Sequence, residues 1–161
     1  MEKTLEKLKS TLKVFNEKEL KSGPGIVPGQ TVKSLVGSDL HPTERMRSGL
    51  ASFEAGTLEH LHWHLIEVFY YVISGRAVMT DIEGKTYDIG PGTVVYAPPG
   101  IAASHQWDIK EPLQLISFRA CTDETARIQF TVDPSTKQSS IEYKYLMRGA
   151  GGKFKKSLYT T

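Results

Sequence analysis

From Thr31 to Ala120 short apolar and β-branched runs recur at close intervals, divided by glycine, proline and acidic residues. The first twenty positions instead carry apolar residues at helical spacing. The expected strands are Thr31–Val36, Met46–Phe53, Leu58–His64, Val68–Ile73, Ala77–Ile82, Lys85–Ile89, Thr93–Ala97, Ala103–Ile109 and Leu113–Ala120. Their separators are Ala55-Gly56, Ser74-Gly75, Glu83-Gly84, Gly90-Pro91-Gly92, Pro98-Pro99-Gly100 and Glu111-Pro112. These supply the left-handed glycines and fixed-φ prolines that tight turns require. The pattern predicts an all-β barrel or sandwich. Val68-Phe69-Tyr70-Tyr71-Val72-Ile73 is apolar on both parities, which predicts a central strand covered on each face.

The two ends read differently from the middle. Leu5, Leu8, Leu12 and Phe15, set among lysines and glutamates, predict an amphipathic helix or arm that packs on the barrel or on a partner. Ser22-Gly23-Pro24-Gly25 ends it. Beyond Thr122, Ile128–Val132 and Ile141–Leu146 read as strands around the turn Asp133-Pro134-Ser135, and the glycine-rich Arg148–Gly152 as flexible. The expected organisation is an arm and linker over residues 1–30, a β-barrel over 31–121, and an extension over 122–161 that packs on the barrel or a second subunit.

With 161 residues, 39% of them apolar and 24% charged, the chain is sized and composed as one globular domain with extensions. No apolar run reaches the length of a membrane span, and Met1-Glu2-Lys3-Thr4-Leu5 opens with mixed charge rather than an export signal. A cytoplasmic location is expected, and the single Cys121, read as a small buried residue, agrees with it. A net charge of +2 leaves no nucleic-acid footprint. The basic tail of Lys144, Arg148, Lys153, Lys155 and Lys156 lacks the interleaved aromatics that stack on bases.

The histidines change the picture. His60, His62 and His64 alternate along one expected strand, which places them on one face, and His105 follows the Ala97-Pro98-Pro99-Gly100 turn. Imidazoles gathered in this way predict a site for one divalent transition metal. Nitrogen donors suit iron(II), zinc, nickel and copper, while an added carboxylate tolerates manganese. Three protein ligands leave positions open to water or a small-molecule substrate. Trp107 shares the face of His105 as core filling, and Trp63 lies opposite His62 and His64. Tyr70 and Tyr71 cannot both face inward, and Arg47 and Arg119 are surface residues or a clamp for a carboxylate.

Over roughly Gly49 to Ala120 these segments resemble the cupin superfamily. The first cupin motif reads glycine, five residues, His-x-His, three or four residues, Glu, six residues, glycine. Gly56, His62-Trp63-His64 and Gly75 fit it, but Val68 occupies the glutamate position and Glu67 stands one residue earlier. Two registers follow. In one, His62 and His64 are ligands and a bulge or a shortened turn brings Glu67 round; in the other, His60-x-His62 pairs with Glu67 and both glycine distances fail. The second motif, Gly-Asp, four residues, Pro-x-Gly, two residues, His, is matched by Gly92-Thr93 and Pro98-Pro99-Gly100. Ala103 stands where its histidine belongs, and His105, two further on, keeps the same strand face.

The resemblance implies a single-domain jelly-roll β-barrel holding iron, zinc, nickel or manganese through His62, His64 and His105, with Glu67 or His60 completing the set. It implies a homodimeric, small-molecule enzyme of oxygenase, isomerase or lyase type. The altered motifs carry the alternative of a non-catalytic ligand-binding or sensor cupin whose metal is structural or absent.

Overall fold

A computed structural model describes residues 9–120 and 128–141 of the chain. Its strands are β1 (Gly23–Pro24), β2 (Gln30–Val36), β3 (Arg47–Phe53), β4 (Leu58–His64), β5 (Val68–Asp81), β6 (Thr86–Ile89), β7 (Val94–Ala97), β8 (His105–Arg119), β9 (Gln129–Val132) and β10 (Ser139–Ile141). One-turn 3₁₀ helices cover Glu17–Glu19 and Ile101–Ala103.

The long strands β5 and β8 organise everything else. They pair antiparallel from Val68 opposite Arg119 to Asp81 opposite His105, and the ladder passes through register shifts around Ser74 and Arg76. The sequence predicts two strands in each of these stretches; the structure has one strand in each, bent instead of broken. Ser74-Gly75 and Glu111-Pro112 act as a shared corner because each is held by the other strand's ladder and cannot reverse the chain. Gly75 is required there. Its φ is +86°, and a Cβ would lie 2.1 Å from the Pro112 carbonyl oxygen.

Folding both strands at one corner makes two facing layers. The first half of β5 and the second half of β8 continue through β3, β2 and β1, with β7 on the other edge. The second half of β5 and the first half of β8 continue through β4, β9 and β10, with β6 opposite. Between them lie Ala51, Phe53, Val68, Val72, Leu113 and Leu115 from one layer and Ala77, Met79, Ile89, Trp107 and Ile109 from the other. Each fully buried aliphatic here contributes about 1.5–3 kcal/mol of transfer free energy. This is the expected all-β jelly roll.

One expectation is corrected, and one left open is narrowed. In β5, Tyr71 is 42% and Ile73 40% exposed. The strand is central in its hydrogen bonding, between β7 and β8, but among the described residues it is covered on one face only. Of the helix or arm expected at the N-terminus, the described residues 9–16 form the arm and no helix; Leu12 is exposed, and a single helical turn, Glu17–Glu19, capped by Asn16, follows. A short isolated helix does not sustain itself in water without a buried face. The segment is instead pinned by the buried Leu20, by Phe15 stacked on His41, and by an ion pair from Glu17 to Lys33 on β2. Leu5, Leu8, Cys121, the residues after Ile141 and the basic tail lie outside the described residues. Beyond the expected barrel, β9 pairs with β4 and β10, so this segment extends the second layer. Among the described residues no helix is long and apolar enough to cross a membrane.

Candidate metal centre

The alternation along β4 is interrupted once, and that interruption builds the site. β4 pairs with β8 at Leu58 opposite Asp108 and Glu59 opposite Trp107, then at His62 opposite His105. Three steps on β4 thus match two on β8, which is a β-bulge. Strict alternation would turn His60 inward with His62 and His64, and Glu59 outward. The bulge exchanges them: Glu59, His62 and His64 are buried and His60 is exposed.

His105 opens β8 directly across from His62, and the three imidazoles of His62, His64 and His105 converge with ligand atoms all within 4.8 Å of one another. Backbone carbonyls orient them. His62 Nδ1 donates to the His60 carbonyl at 2.7 Å, His105 Nδ1 to that of Ala103 at 2.9 Å, and His64 Nδ1, more loosely, to that of Ile128 at 3.4 Å. A carbonyl only accepts, so each Nδ1 carries the hydrogen and each Nε2 presents a lone pair. Tyr70 Oη lies 3.3 Å from His64 Nε2 and 3.2 Å from His105 Nε2, and its one proton serves one of them at a time. His62 Nε2 is buried without a hydrogen-bond partner among the described residues.

Electrostatics keep the cluster neutral in protons. Burial, opposed by the His60 hydrogen bond, holds His62 down at about 3. Burial and the neighbouring His62 do the same to His105, also to about 3. His64 lies well below its ordinary value through burial and then the Arg119 charge. Burial raises both Glu59 and Tyr70. Glu59 accepts from Gln129 Nε2 at 3.1 Å, and its Oε1 stands 3.7 Å from His62 Nε2.

A divalent cation fits this donor set. Three inward lone pairs, one of them orphaned, and a buried carboxylate lack only a positive charge to share. An unsatisfied buried polar atom costs about 1–3 kcal/mol, which such an ion would relieve.

The structure does not bring the other expected ligands here. His60 is exposed, and Glu67 is an exposed carboxylate that accepts from Tyr96 Oη at 2.6 Å. The parity shift foreseen after the histidines occurs before them, and the carboxylate it delivers is Glu59. That residue was missed because a bulge leaves no mark in composition. Gln129 was missed as well; it is set across from His64 by the β4–β9 register. Tyr70 faces inward and Tyr71 outward, while Trp107 fills the core and Trp63 stacks outside on Phe130. Arg119 and Arg47 are cross-strand neighbours, both half-buried. An open groove of about 550 Å³ between β6, β7 and the Ile101–Ala103 turn has His105 in its wall.

Comparison with known proteins agrees with this architecture. Residues 49–119 match the family described as a cupin domain. An uncharacterized protein of Streptomyces coelicolor is 39% identical over 57 residues, 35% of this chain and 53% of that protein, so the chain spans about half the length of this relative. Among solved structures, the polyketide cyclase RemF from Streptomyces resistomycificus is similar at a TM-score of 0.61 and 19% identity, over 69% of this chain and 80% of its own. KdgF from Halomonas sp. gives 0.57 and 21%, over 67% and 94%. The DMSP lyase DddQ from Ruegeria pomeroyi DSS-3 gives 0.57 and 18%, over 76% and 61%. At these identities the likeness is one of fold.

Proposed function

Taking as premise that residues 49–119 are a cupin domain, we propose that the chain is a metal-dependent enzyme acting on a small molecule. One divalent transition metal is held by His62, His64 and His105. The carrying observation is the convergence of three buried imidazole nitrogens, each turned inward by a carbonyl on its far side, with His62 Nε2 left unpartnered among the described residues. Three imidazoles beside a carboxylate suit iron(II), zinc, nickel or manganese.

Held by His62, His64 and His105, such an ion would supply Lewis acidity towards a carbonyl or water. The chain's own residues do the rest. Glu59 places negative charge beside His62, and Gln129 fixes that carboxylate by its amide. The Tyr70 hydroxyl stands at the edge of the cluster as a donor towards whatever occupies the centre. Trp107 and Tyr70 close the interior side against water, and the groove along His105 offers entry. Proteins of this fold include a cyclase and a lyase, which supports bond rearrangement or elimination over hydrolysis by analogy of fold.

One observation favours a second reading, a non-catalytic binding barrel. The Tyr70 hydroxyl lies within hydrogen-bond reach of two of the three nitrogens and can donate to one of them at a time, so the chain itself supplies a partner to the cluster. Reconstitution of purified protein with iron, zinc, nickel or manganese tests the metal on which the enzyme reading depends. The enzyme reading expects near one equivalent retained after gel filtration and none in His62→Ala with His64→Ala. Equal metal content in both proteins, or none in either, refutes it.

We also propose a homodimer. Tyr71, Ile73, Val94, Tyr96 and Phe118 leave apolar surface on the outer faces of β5, β7 and β8, which supports a second copy as partner.

A further inference from the structure

We infer that Gln129 sets the specificity of this centre. Its side-chain oxygen accepts a hydrogen bond from the ligand, which therefore carries an N–H or O–H beside the atom it gives to the metal. This assignment rests on the metal reading above and names its ligand class.

Register brings Gln129 to the histidines. It opens β9 directly opposite His64, while Glu59 lies three residues before His62 on β4. Gln129 is 3% and Glu59 6% exposed, so both side chains are turned into the interior. Their backbones stand on opposite sides of His62 along the strand. Even so, the Gln129 amide nitrogen donates to Glu59 Oε1 at 3.1 Å, and that same oxygen is 3.7 Å from His62 Nε2. The two side chains meet by leaning towards His62 from either side, which sets the Gln129 amide beside the imidazole cluster.

The contact with Glu59 also decides which end of the amide faces the carboxylate. Beside a divalent ion Glu59 is ionised and only accepts, so Nε2 is turned to it and Oε1 is turned away. That oxygen is buried and has no hydrogen-bond partner among the described residues. Three buried side-chain atoms among those residues are in this condition, and two of them, Gln129 Oε1 and His62 Nε2, belong to this one site. The third, on His41, lies at the N-terminal arm, where that ring stacks on Phe15.

The two orphaned atoms ask for different partners. The imidazole nitrogen suits a transition metal, whereas a neutral amide oxygen is a weak ligand for such an ion and a good acceptor for O–H or N–H. A site built around a buried acceptor rejects a ligand that lacks the donor, because binding it leaves the acceptor desolvated and unpaired. An α-hydroxy carbonyl compound, a hydroxamate or an amide pairs a metal-binding oxygen with a neighbouring donor. The groove of about 550 Å³ with His105 in its wall has room for a molecule of that kind.

The test uses the full chain loaded with cobalt(II), whose visible spectrum reports its ligand environment. Wild type, Gln129→Met and Gln129→Asn are titrated with acetohydroxamic acid and with N-methylacetohydroxamic acid. These probes offer the metal the same two oxygens, and only the first has an N–H. Wild type is expected to bind the N–H probe about ten- to a hundredfold more tightly. Gln129→Met lacks the acceptor and Gln129→Asn withdraws it by one methylene, so both should lose most of that ratio at full cobalt loading. A residue that served only to hold Glu59 would, when replaced, shift both probes alike and leave the ratio standing. Equal binding of the two probes by wild type, a ratio kept in both variants, or bound cobalt whose spectrum neither probe changes overturns the assignment and leaves the metal reading standing. Wild type that takes up no cobalt overturns both. Cobalt stoichiometry and circular dichroism of each variant separate lost binding from lost fold, and a wild-type ratio near one overturns the assignment whatever the variants do.

Discussion

Acidification of the metal-free protein should destabilise it through its own histidines. The perturbation is a change from pH 7.5 to pH 5.0 in the presence of a chelator. His62 and His105 have folded-state values of about 3 against 6.5 when free, so below pH 6.5 the unfolded chain binds protons that the folded chain refuses. The sign is fixed by that difference. Stability contributed by these groups is complete above pH 6.5 and is lost progressively as pH falls towards 3. At pH 5.0, 1.5 units below the free value, two such groups at 1.36 kcal/mol per unit cost about 4 kcal/mol. His64 is depressed too and adds to the loss. Glu59, whose carboxyl is raised by burial, acts in the opposite sense below its folded value and offsets part of it. Against a typical domain stability of about 5–15 kcal/mol, the loss is large. Urea unfolding at the two pH values measures it, with the double variant His62→Gln and His105→Gln as control. The wild type should lose roughly 3–4 kcal/mol and the control much less. A pH-independent midpoint, or an equal loss in the control, would refute the claim that these imidazoles are buried and neutral.

Further outcomes follow from single contacts. Glu59→Gln should weaken metal binding in chelator competition by about tenfold or more, while Glu67→Gln and His60→Ala leave it unchanged; the reverse order would return the site to the register read from the motif. Gly75→Ala meets the Pro112 carbonyl at a left-handed φ and should cost at least about 2 kcal/mol, seen as a melting temperature lower by roughly 5 °C or more. An unchanged melt would mean that the corner is not closed as described. Tyr70→Phe keeps the ring against Trp107 but removes the donor to His64 and His105, and should cost the metal-free form about 1 kcal/mol in urea unfolding; loss of a similar amount from the metal-loaded form would contradict a centre in which the ion takes over those nitrogens. Sedimentation at micromolar concentration should show a dimer, and Tyr71→Lys with Ile73→Lys a monomer; a monomeric wild type refutes the dimer.

The legibility of the chain follows from which forces are local. Strand β4 was readable to the residue because its period-two pattern and flanking turns are local signals. The fusion of two expected strands into β5, and of two into β8, was not. Ser74-Gly75 and Glu111-Pro112 are turn chemistry in isolation, and only their mutual pairing makes them a corner. The apolar run in β5 correctly marked a strand between two others, yet Tyr71 and Ile73 show that apolar composition does not by itself say what covers a face. At the site, His62, His64 and His105 were legible because strand parity survives a two-residue offset. Glu59 and His60 exchange faces through a bulge whose cause is the pairing with β8, so the motif spacing points to a carboxylate on the other side of the histidines. Strand parity allows only one of Tyr70 and Tyr71 to face inward, and the role of Tyr70 depends on the fold bringing β5 over His105.

The most direct test of the central claim is an anomalous difference map from crystals of the chain reconstituted with zinc or iron. The account predicts one strong peak about 2.0–2.2 Å from Nε2 of each of His62, His64 and His105. The Glu59 carboxylate should be the nearest acidic group. A peak at His60 or Glu67, or a reconstituted crystal with no peak inside the barrel, would contradict it.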